Sequence, residues 1–344
     1  MIKRAAFIAL GVVLLLGICL ALWPAPLRTL APLRTLASLR TLAPLRTLAS
    51  VRRVDGFPLY VMHYYGDYGF SQLLEPGTAR SPAPAFAGSD AWACTGFAAL
   101  TASGGAVVGR NFDWHNQQAL LLYTHPPGAY ASVSMVDTSY LGFPREHPTL
   151  LDRRLLLQAP YLPFDGMNER GLAVSMMAVP RARDGPKPGG VTLDDLQAIR
   201  LLLDYAADVD EAVSLLEGVT VRFGNPPLHF FVADASGHAA VIEYLDGEMV
   251  VTRNEGPWQV STNFLLAEER PDGASSSCWR YNLAYERLAQ ANGVLSAADA
   301  MSLLEAVSQP ITIWSVVYDL GSGTIDVALG THYERVHSFR LPME

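Results

Sequence analysis

The 344-residue chain is half hydrophobic and carries 25 Lys/Arg against 33 Asp/Glu. That is apolar material for one large core or two small ones. Charge divides unevenly: residues 1–93 hold nine Lys/Arg and four Asp/Glu, the remainder 16 and 29, so the body stands near −13. An acidic body with no basic, aromatic-interleaved patch argues against nucleic acid as a partner.

Residues 5–23, AAFIALGVVLLLGICLALW, are apolar and uncharged and follow Lys3 and Arg4. At ~1.5 Å per residue such a run spans roughly 28 Å, enough for a bilayer core. A cleaved signal has a shorter apolar region and a small-residue cleavage site, and no such site follows. Residues 1–25 are therefore expected to be a membrane anchor or a signal segment, and the missing cleavage site favours the uncleaved anchor. Cys19 reads as a small apolar residue of that helix, since Ile18 fits a lipidation site poorly.

Residues 26–49 repeat PLRTLA, PLRTLA, SLRTLA, PLRTLA. A six-residue unit matches neither helical nor coiled-coil periodicity, and Pro32 and Pro44 are expected to interrupt a helix. Residues 26–53 read as a linker with arginines near lipid phosphates, or as a slipped-repeat expansion without function. Six arginines (Arg28 to Arg53) follow the apolar run against two cations before it. A strict positive-inside count would leave the body in the cytoplasm. The N-terminal position of the apolar run favours export, with the body anchored on the extracytoplasmic face.

Residues 54–70, VDGFPLYVMHYYGDYGF, are rich in Tyr and Phe, and 71–92 are loop-like with Pro76, Gly77, Pro82, Pro84 and Gly88. Residues 54–93 are expected to be a propeptide or small N-terminal chain packed on the body, covering part of the substrate pocket. The body is 94–344. Strand patterns occupy 95–101, 106–112, 119–124, 130–137, 172–178, 228–234, 238–244, 248–252, 258–262, 312–319 and 323–329. Helix patterns occupy 192–206, with Thr192 as N-cap, and 209–217, 278–291 and 296–307. Strands come in runs with helices in pairs between them, which is an α+β pattern of mostly antiparallel sheets.

The hairpin ACTGFAALTASGGAVVGRNFDWHN (93–116) turns at Ser103-Gly104-Gly105. That places residue 94 roughly opposite 113, so Cys94, Arg110 and Asp113 gather at one end of a sheet. A guanidinium beside a thiol favours the thiolate, the nucleophilic form. No His stands at a spacing that recommends it as the base, and G-x-S-x-G is absent. A cut before Cys94 would supply one, because a freed α-amine titrates near 7.7–8.0 and sits beside the thiol. The eight His residues show no metal-ligand spacing. Cys278 reads as structural, and Trp114 and His115 as pocket-lining or packed side chains.

These segments resemble the choloylglycine hydrolase family of N-terminal nucleophile (Ntn) hydrolases, which includes bile salt hydrolases and penicillin V acylases and, more distantly, acid ceramidase-like amidases. CTGFAAL with GRNFDW resembles the family's opening, whose nucleophilic Cys and catalytic Arg and Asp fall on Cys94, Arg110 and Asp113. FDGMNERGLAV (164–174) resembles a segment whose Asn helps form the oxyanion hole, here Asn168. LHFFVADASGHAAVIEY (228–244) and WQVSTNF (258–264) resemble the strands leading to a second oxyanion-hole donor, here Asn263. SSCWRY (276–281) resembles the segment with a second catalytic Arg, here Arg280, and TIWSVVYDLGSGTIDVAL (312–329) resembles the last strand pair. The long leader resembles that of the ceramidase-like branch.

The resemblance implies a four-layer αββα sandwich, no cofactor and no metal. It implies hydrolysis of a linear, non-peptide amide through an acyl-enzyme on Cys94, after autoproteolysis between Ala93 and Cys94. The implied substrate is a small-molecule N-acyl amide. Acyl transfer to another amine, and an unprocessed membrane-tethered binding module, are the competing readings, and a homo-oligomer is left open.

Overall fold

The computed structural model describes residues 42–75, 93–114, 118–185, 187, 190–269 and 276–344. The apolar run 5–23 with Cys19, most of the repeats, the loop at 76–92 and His115 lie outside the described residues. Among the described residues no helix is long and apolar enough to cross a membrane. The chain divides into Met1–Leu45 and Arg46–Glu344. Residues 42–45 of the first unit are helical, as are 46–50 of the second. Pro44 therefore lies in helical backbone instead of interrupting it.

In the second unit β1 (Arg52–Asp55) and β2 (Leu59–His63) form a hairpin, followed by the single turn α1 (Phe70–Leu73). The hairpin of β3 (Ala93–Leu100) and β4 (Ala106–Asp113) comes next. Then follow β5 (Ala119–Thr124), β6 (Ser132–Asp137), β7 (Asp165–Asn168) and β8 (Ala173–Ala178), with 3-10 segments at Thr138–Leu141 and Asp152–Tyr161. β9 (Val191–Asp194) runs into α2 (Asp195–Tyr205), α3 (Val209–Glu217) and β10 (Val219–Arg222). β11 (Leu228–Ala233), β12 (Ala239–Leu245), β13 (Glu248–Arg253) and β14 (Trp258–Ser261) lead to α4 (Leu266–Glu269), α5 (Trp279–Gln290) and α6 (Ala297–Ala306). β15 (Thr312–Asp319), β16 (Thr324–Leu329) and β17 (His337–Arg340) close the chain.

Nine strands form one sheet in the order β1-β2-β5-β6-β7-β8-β11-β12-β13, and six form another, β14-β3-β4-β15-β16-β17. Helices α2 and α3 pack on the first sheet and α5 and α6 on the second, while β3 meets β8 between the sheets. The layers run αββα, as the resemblance implies, and the sheets are mostly antiparallel, as the α+β pattern predicts. The central strands β6, β8 and β11 are buried along their whole length, as strands covered on both faces are.

Strands β5 and β15 and helix α3 fall at the expected bounds. The helix expected from 192 starts later. Val191–Asp194 is a strand paired in parallel with β10, and Asp194, not Thr192, is the N-cap, in a capping box with Gln197. β-Branched Val191 and Thr192 suit a strand once β10 offers a partner. The aromatic stretch at 54–70 supplies β2, which pairs in parallel with β5 and buries Leu59, Tyr60, Val61 and Met62.

Candidate active site

The β3–β4 turn places Gly104 at φ +90°, a conformation that glycine adopts without steric cost. The register pairs Cys94 with Phe112 and Ala93 with Asp113, one residue away from the expected pairing of 94 with 113. That shift decides which faces the groups use, because neighbouring strand residues point to opposite sides. Cys94, Arg110 and Phe112 share the face toward the other sheet. Asn111 and Asp113 face the helices, where Asn111 Nδ2 donates to the Leu304 carbonyl.

On the inner face Arg110 lies across from Gly96. A Cβ at Gly96 would come within 2.2 Å of Met177 Cε, so glycine lets the sheets approach beside Arg110. Arg110 is fully buried, with Nε 3.6 Å from Asp165 Oδ2. Asp165 also accepts from Trp314 Nε1 at 3.0 Å and Tyr318 Oη at 2.5 Å. Burial alone would push the Arg110 pKa down, but Cys94, Asp165 and Asp113 together raise it. Burial raises that of Asp165 despite Arg110. Arg110 is thus a cation fixed between the nucleophile candidate and a buried carboxylate.

On the helix side Asp113 Oδ1 accepts from Thr312 Oγ1 at 2.6 Å. Burial pushes the Asp113 carboxyl up to about 6, against the pull of the Thr312 hydroxyl and of Arg280 and Arg110. Arg280, near the start of α5, donates through Nη1 to the Cys94 carbonyl and to Thr95 Oγ1, the latter at 2.9 Å. Its Nη2 donates to Asn263 Oδ1 at 3.0 Å. The same oxygen accepts from the Cys94 backbone nitrogen at 2.5 Å, while Asn263 Nδ2 donates to the Ala178 carbonyl at 2.8 Å. Arg110 Nε and Nη2 and Asp113 Oδ2 are buried without a hydrogen-bond partner among the described residues. Buried polar groups without a partner are rare in native structures.

Five of the six expected residues therefore converge: Cys94, Arg110, Asp113, Asn263 and Arg280. Asn168 does not. It lies on β7, where alternation turns Asp165 inward and Asn168 toward α2. Its Nδ2 donates to the carbonyls of Leu203 and Ala206, and its Oδ1 accepts from the amides of Arg170 and Leu172. Those bonds fasten the β7–β8 turn to the end of α2 and leave nothing to offer a substrate. The expectation that Asn168 serves the oxyanion is corrected on that ground.

Asp165 was missed, although it stands three residues before Asn168 in the same motif; an inward carboxylate cannot be told from a turn residue until β7 is placed. Cys94, 2% exposed, lines a narrow apolar cavity with Phe112, Trp114, Tyr140, Phe164, Met176, Ala178, Pro226 and Leu228. Trp114 and Tyr140 hydrogen-bond to one another there. No described residue of 54–75 lines it, so the Tyr/Phe stretch does not cover this pocket as expected. Cys278 is unpaired and sits at the N-cap position of α5.

The family model for linear amide C–N hydrolases of the choloylglycine hydrolase family matches residues 94–264, a segment that opens at Cys94 itself. Residues 94–264 belong to the choloylglycine hydrolase family. A penicillin V acylase of Pectobacterium atrosepticum is 33% identical over 113 residues, a match spanning 29% of this chain and 29% of that protein. The penicillin V acylase structure from Agrobacterium tumefaciens superposes with TM-score 0.51 at 18% identity, over 72% of this chain and 86% of the other. A variant of the conjugated bile acid hydrolase from Clostridium perfringens gives TM-score 0.53 at 14% identity, over 72% and 92%. At those identities the structural likeness bears on the fold alone: the chain shares the layered α+β architecture of these structures.

Proposed function

We propose that the chain is a cysteine amidohydrolase of linear N-acyl amides, generated by its own cleavage between Ala93 and Cys94. The observation that carries this reading is the environment of the Cys94 nitrogen. It donates to a side chain, Asn263 Oδ1, and the unpartnered Asp113 Oδ2 lies on the residue paired with Ala93. A backbone N–H in a strand ordinarily bonds a neighbouring carbonyl; here a side-chain amide oxygen takes that place, as it would for a functional amine. The family match opening at this residue supports the same reading.

In the maturation step Cys94 Sγ bonds to the Ala93 carbonyl carbon, and the Ala93–Cys94 C–N bond breaks with protonation of the nitrogen. Water then hydrolyses the thioester and leaves a free thiol beside a free amine. In turnover the amine takes the thiol proton and the sulfur attacks the acyl carbon. Arg110 supplies positive charge on the sulfur's face of the sheet. Asn263 Oδ1 holds the amine, and Asp113 Oδ2 is the open acceptor for its charged form. The second hydrogen of Asn263 Nδ2 is the donor offered to the oxyanion. The leaving amine departs with the proton, and water releases the acid from the enzyme.

The apolar, aromatic lining of the cavity at Cys94 suits an apolar acyl group. The body is proposed to act from a membrane anchor at its N-terminus, on the extracytoplasmic face. Intact-mass measurement of the wild type and of Cys94→Ala, with hydrolysis assayed on fluorogenic acyl amides of graded chain length, tests the reading. Two chains in the active wild type and one inert chain in the variant are expected. Activity from a polypeptide unbroken across 93 and 94 overturns it.

A further inference from the structure

Behind Asn263 lies a pair of buried titratable residues that the reaction does not consume. His229 on β11 is 1% exposed and Glu243 on β12 is fully buried. His229 Nδ1 faces Glu243 Oε1 at 3.1 Å, and Nε2 donates to the Thr262 carbonyl at 2.9 Å. Ser261 Oγ stands 3.1 Å from the same Nε2. Glu243 accepts the Leu266 amide on Oε1 at 2.8 Å and the Ala267 amide on Oε2 at 2.7 Å.

The two residues hold the chain on both sides of Asn263. His229 fixes the peptide just before it, and Glu243 fixes the first turn of α4, three and four residues after it. Both belong to the nine-stranded sheet, whereas Ser261 ends β14 of the six-stranded sheet. The segment carrying Asn263 is thus moored across the interface between the sheets. His229 is no candidate for the missing base, because the ring is buried and both nitrogens are engaged. A charged or polar pair in this position is costly to bury and needs its partners; its geometric result is a loop with little freedom. Preset donors and acceptors gain their effect from such rigidity.

We propose that His229 and Glu243 are positioning residues that act through Asn263, keeping its amide oxygen on the Cys94 nitrogen. The proposal rests on the amidohydrolase reading and on the role given there to Asn263. A double-mutant cycle tests it. His229→Gln, Asn263→Ala and the double variant are prepared as the full chain, the cut fraction is measured by mass, and kcat and KM are determined per cut molecule.

His229→Gln should lower kcat by about 10–100-fold, the scale of a small misplacement of a catalytic group, with KM changed less than about threefold. On the Asn263→Ala background the same substitution should cost less than about threefold. An equal loss on both backgrounds overturns the proposal, since a general structural role would act independently of Asn263. Cys94→Ala is the control for the underlying reading: hydrolysis that survives it defeats that reading whatever the cycle shows.

Should His229→Gln fail to fold, Glu243→Gln in the uncut Cys94→Ala chain keeps the idea testable. Hydrogen exchange of the amides at 264–267 should then accelerate at least about tenfold while β11 stays protected. Unchanged exchange at 264–267 overturns it.

Discussion

The backbone nitrogen of Cys94 donates to the side-chain oxygen of Asn263 beyond the point where strand pairing ends, since β14 pairs with β3 only as far as Ser261 against Gly96. One side-chain amide replaces a strand carbonyl there and spans to Ala178 with its other end. Asn263→Ala should lower kcat by ~10²–10³, the usual loss for an oxyanion-hole donor. Asn263→Asp separates the two ends of the amide. It keeps an acceptor for the Cys94 nitrogen and loses the donor, so cutting at 93/94 should persist while turnover falls. Mass spectrometry and steady-state kinetics on the same sample distinguish these outcomes.

Asp165 is the buried counter-charge of Arg110 and also takes the Trp314 and Tyr318 donors. Removing one partner of a buried pair leaves the other charge uncompensated and costs about 3–5 kcal/mol. Asp165→Ala is therefore expected to lower the unfolding free energy by that amount, read as a lower urea midpoint at unchanged m. Asp165→Asn retains an acceptor and should lose less. Equilibrium unfolding of the uncut Cys94→Ala chain isolates the effect from maturation.

Asp113, pushed by burial up to about 6, gives a pH signature. A raised folded pKa means that the fold holds the proton more tightly than the open chain does. Stability is therefore lost as pH climbs from about 3.8 toward 6, and the deficit persists above that. At about 1.4 kcal/mol per pKa unit the deficit is at most about 3 kcal/mol. In the uncut Cys94→Ala chain, adding Asp113→Asn should remove this fall between pH 4 and pH 7. Thermal unfolding at the two pH values measures it.

The residues that the structure brings together were legible because they lie in short, ordered motifs; the faces they occupy were not. A one-residue difference in hairpin register moved Asp113 off the Cys94 face, and register depends on turn geometry that glycines alone do not specify. Asn168 looked like a site residue because its motif is one, yet the inward group there is Asp165, as strand alternation fixes only once β7 is aligned with β8. Strand β9 hid inside a helix pattern, since Val191–Asp194 become extended through pairing with β10, a contact distant in sequence. His229 and Glu243 carried no local signal, because their partners at 261–267 are brought to them only by the packing of two sheets.

On the proposed cleavage at 93/94, the N-terminal segment should stay on the body. Strand β2 lies between β1 and β5 in the nine-stranded sheet, and its Leu59–Met62 side chains are buried. Further along, Tyr68 Oη donates to Asp204 at 2.6–2.7 Å, Arg200 Nη1 donates to the same carboxylate at 3.0 Å, and Tyr161 Oη donates to the Tyr68 carbonyl. Burial raises the Tyr68 pKa, so the phenol keeps the proton that it gives to Asp204. Size-exclusion chromatography of cut enzyme should show both fragments co-eluting in native buffer and separating in denaturant. Tyr68→Phe removes a hydrogen bond to a charged group, worth about 1.5–3 kcal/mol, and should let the fragment leave at lower urea. A body that elutes alone and active in native buffer would show that strands β1 and β2 are dispensable after maturation.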